Sequence, residues 1–529
     1  MSGAVPDRTA GDISPIGRVR PGAITGRGFA LLAVLALVFR LWLAWVLPFT
    51  GDEAYFFYWG KWPDWGFYDH PPMVGWWLAA LQRISPAEWF LRLPSVVLPL
   101  VLAGATAAYL RRISAQLAWT TAAIVLLAPA NVWNVAITTD TPLVFFGFLS
   151  GLAFLRAAED DDPRFYLLAG VLLGGAFLSK YFAVFLAAAY GAYCLSRPGR
   201  GQLRGLVLVA LGAAPAVALN LWWNAQHCWA NVMFNLYNRH GGAGFSWGRP
   251  PLYALELLYL LSPPALWFLA RRGGILALRS PEAELRALAW LAVLPLALFA
   301  LLSLVKTIGL HWLLSFIPFA FLLLARVADA DALRVTARFC AAFAALHIAA
   351  IAAIAALPVE TWRATRWYDG IVMTVKADEL LARLAPYEKD YVFATDGYSP
   401  SATLGYDAKR YFIVFGEGSS HARHDDILTD FRALEGRNIL VLRKSPPDPR
   451  LYERYFERVE YRNFDLHGAS FHLVLGHGFR YAPYRDGVLA KMRDAYYAIP
   501  AWLPAGRCYF CERYFAGEAC ARRSAAQTR

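Results

Sequence analysis

Between Gly51 and Trp77 the chain reads GDEAYFFYWGKWPDWGFYDHPPMVGWW, which sets Asp52, Glu53, Lys61, Asp64, Asp69 and His70 among eleven aromatic side chains. A carboxylate can take a proton from an attacking hydroxyl, and its basicity can be tuned by partial burial. Asp52 and Glu53 are therefore candidate catalytic carboxylates, with a solvated boundary pair as the plainer reading. YDHPP, Tyr68 to Pro72, puts Asp69 and His70 before two prolines that fix the backbone. It reads as part of a site or as a capped helix start.

Four further stretches carry similar chemistry. TTDTP places Asp140 where it can be a site carboxylate or an N-cap. LSKYF sets Lys180 in an otherwise apolar run, so it either snorkels to an interface or meets an anion. NLWWNAQHCWANVMFNLYNRH, Asn220 to His240, mixes Trp223, Asn224 and Arg239 with further amides and rings. Such a mixture suits a hydroxyl-rich ligand or an interfacial aromatic belt. VKTIGLHW supplies Lys306 and His311. Asp69, His70, His240 and His311 could converge on a divalent metal, but their spacing follows no ligand motif.

The elements that must position these groups are membrane helices. The 529 residues are 58% hydrophobic and 17% charged, and mean hydropathy is +0.38. A soluble chain would carry about a quarter charged residues. Apolar runs of spanning length fall near 28–48, 89–110, 115–136, 141–157, 165–181, 183–196, 205–224, 251–270, 287–305, 309–327 and 337–357. Splitting 165–196 into two crossings puts Arg197, Arg200 and Arg204 on one side with Arg18, Arg20, Arg27, Arg111, Arg112, Arg271, Arg272 and Arg326. By the positive-inside rule that side is the cytoplasm. The net charge of +12 is thereby accounted for without nucleic acid.

The sequence thus predicts an α-helical polytopic membrane protein of about eleven transmembrane helices with a C-terminal extracytoplasmic α/β domain. Residues 1–27 form a basic, disordered cytoplasmic N-terminus, 28–357 the membrane domain with an outer loop over 49–88, and 358–529 the outer domain. KDYVFATDGYS, KRYFIVFGEG, RNILVLRKSPPD and SFHLVLGHGFR read as strands of that domain. Two of Cys508, Cys511 and Cys520 are expected to pair there, while Cys194 and Cys340 lie in helices.

DEAYFFYWG…YDHPPMVGWWLAAL, TTDTPLVFF, LSKYFAVFL and NLWWNAQH occur in the order and spacing of a known family. They resemble the GT-C-fold glycosyltransferases that use polyprenyl-phosphate sugars, in the bacterial branch of the dolichyl-phosphate-mannose–protein mannosyltransferase superfamily. That branch includes the lipid A aminoarabinose transferases and the rhizobial lipopolysaccharide galacturonosyltransferases. The resemblance covers roughly residues 28 to 320; the C-terminal domain matches in position only.

It implies a bacterial inner-membrane enzyme that moves a sugar from a polyprenyl-phosphate donor to an envelope lipid, glycan or protein. It places the family's acidic loop motif on Asp52 and Glu53. The position before the double proline, lysine in the aminoarabinose transferases, contacts donor phosphate there and is His70 here. Since histidine can be neutral near pH 7, Lys180, Arg239 and Lys306 are expected to share the phosphate. Tyr55, Asp69, Asp140, Trp223, Asn224 and His311 are expected to support the site or touch substrate. No cofactor is expected, with a divalent metal left open. The competing class is a transporter or flippase of lipid-linked sugars, which would show broken helices or carboxylates at mid-membrane depth. Glu256 is the candidate at that depth.

Overall fold

Each apolar run of the sequence has a helical counterpart in the computed structural model, which describes residues 24–239, 244–504, 506–516 and 522–523. Among the described residues six helices are long and apolar enough to span: Gly26–Val46, Glu88–Leu110, Asp140–Asp160, Arg200–Gln226, Ala283–Ser303 and Ala330–Ala356. Four shorter apolar helices, Ala115–Leu127, Pro163–Phe177, Ala183–Ser196 and Ile317–Val327, pack among them. The 165–196 stretch is two helices, parted at Leu178–Phe182. Leu31, Val34, Leu35 and Val38 of the first helix are exposed, as side chains facing lipid are. Where Pro163–Phe177 crosses Arg200–Gln226, a Cβ on Gly170 would fall 2.3 Å from the Val209 carbonyl oxygen. Glycine there lets two backbones touch, the usual way helices associate in lipid.

Two spans depart from expectation. The run 251–270 is a pair, Arg249–Leu261 and Pro263–Arg271, bent by 99°. Ser262 has φ 75°, and the two prolines after it supply no N–H to continue the ladder. The run 309–327 is helical only from Ile317; Leu310–Leu313 is a single 3₁₀ turn.

The loop between the first two spans is a helical hairpin, Gly51–Lys61 and Met73–Gln82. Beyond the last span lies a mixed five-stranded sheet: β1 Val392–Thr395, β2 Ile413–Val414, β3 Ile439–Arg443, β4 Phe456–Leu466 and β5 Ala469–Phe479, in the order β2-β1-β3-β5-β4. The first three strands are parallel, and β5 is antiparallel to both neighbours. Strand β4 lies outside the expected set because FERVEYRNFDL is an edge sequence, polar and largely exposed. The β4–β5 turn, His467-Gly468, has positive φ at both residues, as two-residue hairpins require.

The two domains are locked together. Helix Tyr398–Asp407 packs on helix Gly51–Lys61, with Tyr406 against Phe49 and Phe57 and Tyr398 against Tyr55. Cys228 of the membrane domain is disulfide-bonded to Cys508. Cys508 therefore pairs with neither of the cysteines expected. Cys511 is also disulfide-bonded, Cys194 and Cys340 are buried and free, and Cys520 and His240 lie outside the described residues.

Candidate active site

Thr50 and Glu53 form a capping box that starts helix Gly51–Lys61. The Glu53 carboxylate also accepts from Arg92 Nε at 2.8 Å, Arg92 NH2 at 2.7 Å and the Ile137 amide at 3.0 Å. Arg92 in turn donates to the carbonyls of Ala44, Leu47 and Pro48. Glu53 and Arg92 are wholly buried, so this pair clamps the end of the first span to the start of the second. Both Glu53 oxygens thus accept hydrogen bonds within the fold. Asp52, one residue earlier on the helix, is exposed. Its Oδ1 accepts from the Tyr398 hydroxyl at 2.9 Å.

Four separate segments bring charged groups to this end of the helices. Asp140 does not act as an N-cap: no side chain caps its helix, and both its oxygens accept from Lys180 Nζ at 2.8 Å. Lys180 does not snorkel; it is buried against Asp140. The charge of Asp52 is felt at Asp69, Lys180, His311 and His421. His311 is exposed in its 3₁₀ turn, within electrostatic reach of Asp140 as well.

Arg239 lies over the rings of Phe234 and Trp312, 5.3 and 5.1 Å from their centroids. Its Nε is buried and has no hydrogen-bond partner among the described residues. Lys306 Nζ donates to the Arg239 carbonyl at 3.2 Å. Burial, and then the charge of Arg239, pushes Lys306 down to about 8. Burial lowers Arg239 too. The Arg239 charge acts against the Lys306 charge, and a bound anion would relieve that repulsion.

The YDHPP turn is a buried hinge of the site. Asp69 accepts from the Tyr55 hydroxyl at 3.0 Å, and the Tyr55 oxygen accepts from the His424 amide at 3.0 Å. Tyr55 thus couples Asp69 to the sheet domain. Burial raises Asp69 to about 7, while burial and then the charge of Lys180 lower His70 to about 3. His70 is therefore a neutral imidazole at physiological pH. Pro72 sits at the N-cap of Met73–Gln82 and no side chain caps it, so the local-capping reading of Asp69 and His70 fails.

Trp223 and Asn224 are buried and partnered within the fold. Trp223 is fully buried, stacked 4.2 Å from the His227 ring, with its indole N–H donated to Asp64 at 3.1 Å. Asn224 accepts from the Asn231 amide at 3.0 Å, and the Asn231 side chain donates to the carbonyls of Phe67 and Tyr68. The amides of NLWWNAQHCWAN thus fasten the hairpin to helix Arg200–Gln226.

Tyr398 and His421, both from the sheet domain, complete the site and were not anticipated. His421 meets the Phe234 ring edge-on at 5.6 Å and feels Arg239 and Lys306. The only sequence signal was the polar run GEGSSHARHDD. Among the described residues no three His, Cys, Asp or Glu side chains converge as metal ligands.

Comparison with known proteins gives a consistent picture. Residues 69–223 match the family profile for dolichyl-phosphate-mannose-protein mannosyltransferase. Over 213 residues the chain is 29% identical to the lipid A galacturonosyltransferase RgtD of Rhizobium johnstonii, covering 39% of this chain and 44% of that one. The match therefore spans less than half of that relative's length. ArnT from Cupriavidus metallidurans bound to undecaprenyl phosphate has the same fold, with TM-score 0.59 and 15% identity over 85% of this chain and 98% of that one. Its apo form gives 0.58 at 15% identity, over 84% and 97%. The chain is thus a polytopic helical membrane protein with the ArnT fold, and its residues 69–223 are similar to the dolichyl-phosphate-mannose-protein mannosyltransferase family.

Proposed function

We propose that the protein is a glycosyltransferase of the bacterial inner membrane that moves a sugar from polyprenyl phosphate to an envelope acceptor on the extracytoplasmic face. The observation that carries this reading is that Arg239, Lys306 and Asp52 all lie within electrostatic reach of His421, at the end of the helices where Lys306 donates to the Arg239 carbonyl. Arg239 and Lys306 bind the donor phosphate. Asp52, held at Oδ1 by Tyr398, accepts the acceptor's proton as its oxygen attacks the anomeric carbon. The bond from that carbon to the phosphate oxygen breaks, and polyprenyl phosphate leaves with its negative charge met by the two cations. Lys180 is matched by Asp140 and neutral His70 holds the turn, so both shape the site without supplying net charge. The chemistry in this reading needs no cofactor.

The orientation rests on the arginine side of the sequence and on the Cys228–Cys508 bond, since disulfides persist in oxidising compartments. One observation favours transport instead: the 99° break at Ser262, near Glu256, whose Oε2 is buried without a partner among the described residues. Transporters break helices in pairs related by symmetry, whereas a single bent pair occurs here among the described residues. Mass spectrometry of envelope lipids and glycans from a deletion strain separates the readings. A single missing sugar, restored by the wild-type gene but not by Asp52→Asn, supports transfer. An unchanged envelope contradicts it.

A further inference from the structure

The sheet domain meets the membrane site with one particular edge. The chain leaving β1 at Thr395 reaches Tyr398, whose hydroxyl holds Asp52. The chain leaving β2 at Val414 reaches His421, whose ring meets Phe234 edge-on at 5.6 Å. Arg239 lies over that same Phe234 ring, 5.3 Å from its centroid. In open α/β sheets, ligands bind outside the carboxyl ends of the strands. The edge with that capacity is therefore the one turned toward Asp52 and the two cations.

The loop that carries His421 is firmly held. Buried Arg423, paired with Asp426 at 2.8 Å, donates to the carbonyls of Glu417 and Ser419 at 2.7 and 2.8 Å. The Ser419 hydroxyl accepts from the His421 amide at 3.2 Å and donates to the His421 carbonyl at 2.7 Å. Ser420 Oγ lies 3.1 Å from His421 Nδ1. Among the described residues the ring is hydrogen-bonded at Nδ1 alone, so Nε2 of this exposed side chain is open to a ligand. Partial burial, then the charges of Arg239 and Lys306, lower the His421 pKa. The ring is thus neutral at physiological pH and suits a hydroxyl, where a third cation would suit the phosphate.

We propose that His421 is a specificity-determining residue that reads the donor sugar, its Nε2 hydrogen-bonded to a hydroxyl of the sugar being transferred. This deepens the transfer reading and rests on its placing of the donor phosphate at Arg239 and Lys306. The anomeric carbon is bonded to that phosphate and is attacked by the oxygen that Asp52 deprotonates, so the sugar stands between the cations and Asp52. His421 is within electrostatic reach of all three. The membrane domain then holds the lipid phosphate, and the sheet domain selects the sugar.

The test uses full-length Asp52→Asn protein in detergent without acceptor, so that turnover does not deplete the lipid. It is mixed with equimolar bare undecaprenyl phosphate and undecaprenyl phosphate carrying glucose, galacturonic acid or aminoarabinose, one sugar at a time. Lipid that copurifies is measured by mass spectrometry, and the ratio of sugar-linked to bare lipid is the readout. At least one sugar should be retained in preference to bare lipid. Adding His421→Ala should lower that ratio about three- to tenfold, the weight of one neutral hydrogen bond, with bare-lipid retention unchanged. Adding His421→Gln should keep most of the ratio, because its amide can donate from near the Nε2 position. An unchanged ratio in His421→Ala overturns the proposal. So does equal loss of both lipids, which a merely structural role would give, and so does the absence of any sugar preference before His421 is changed. Arg239→Ala tests the underlying reading separately: undiminished retention of bare undecaprenyl phosphate there would refute the phosphate assignment, whatever His421→Ala does to the ratio.

Discussion

Lys180 Nζ lies 2.8 Å from both carboxylate oxygens of Asp140, and the two side chains are buried together where separate helices meet. An ion pair this dry is costly to break from one side, because the remaining charge is left uncompensated. Asp140→Asn and Lys180→Met are each expected to destabilise the protein by about 3–5 kcal/mol. The double variant should unfold closer to wild type than either single. Thermal unfolding in detergent checks this; singles that melt like wild type would mean the pair is not closed in the free enzyme.

Arg239 and Lys306 are expected to act on donor binding. Arg239→Ala and Lys306→Ala should each raise the donor KM by roughly 10- to 150-fold, the cost of one charged contact, with a smaller change in kcat. Initial rates against donor concentration give the split. His70→Asn should remain active, since His70 is neutral in place. His70→Lys should lose stability, because it adds a buried cation beside Lys180 and Arg239.

Asp69 makes stability depend on pH. Its pKa is raised to about 7 by burial, so the folded state holds the proton more tightly than the unfolded chain does. The stabilisation is complete below about pH 4 and is lost as pH rises through about 7. Asp69→Asn should flatten the melting temperature between those values. A wild-type profile with no fall across that window would contradict the assignment.

The Cys228–Cys508 bond closes a separation of 280 residues, so reduction should shift the protein on a non-reducing gel. In intact cells, membrane-impermeant maleimide should label Cys508 only after reduction. A C-terminal alkaline phosphatase fusion should be active. An inactive fusion would mean that the bent pair around Ser262, or the pair around Lys180, does not cross as assigned.

Much of the scaffold was legible because spanning length and apolarity are local properties. The eleven apolar runs each correspond to a helix or a bent pair, and the break within 165–196 was readable from the side on which Arg197, Arg200 and Arg204 must fall. Residue contacts across the chain were not. Arg92 neutralises Glu53 from 39 positions away, and Tyr398 reaches Asp52 from 346 positions away. Neither distance leaves a trace in spacing. Cys228 went unnoticed as the partner of Cys508 for the same reason. The burial of the amides around Asn224 was not legible either, because buried and ligand-facing amides look identical in sequence. Strand β4 escaped because an edge strand exposes most of its side chains.

The most direct test of the account is the turnover of Asp52→Asn with a polyprenyl-phosphate sugar and its acceptor. Asparagine keeps the hydrogen-bonding shape toward Tyr398 but cannot accept the proton. The account predicts a fall in kcat of about a hundredfold or more, with normal expression and normal undecaprenyl phosphate retention. Turnover above about a tenth of wild type would contradict Asp52 as the base.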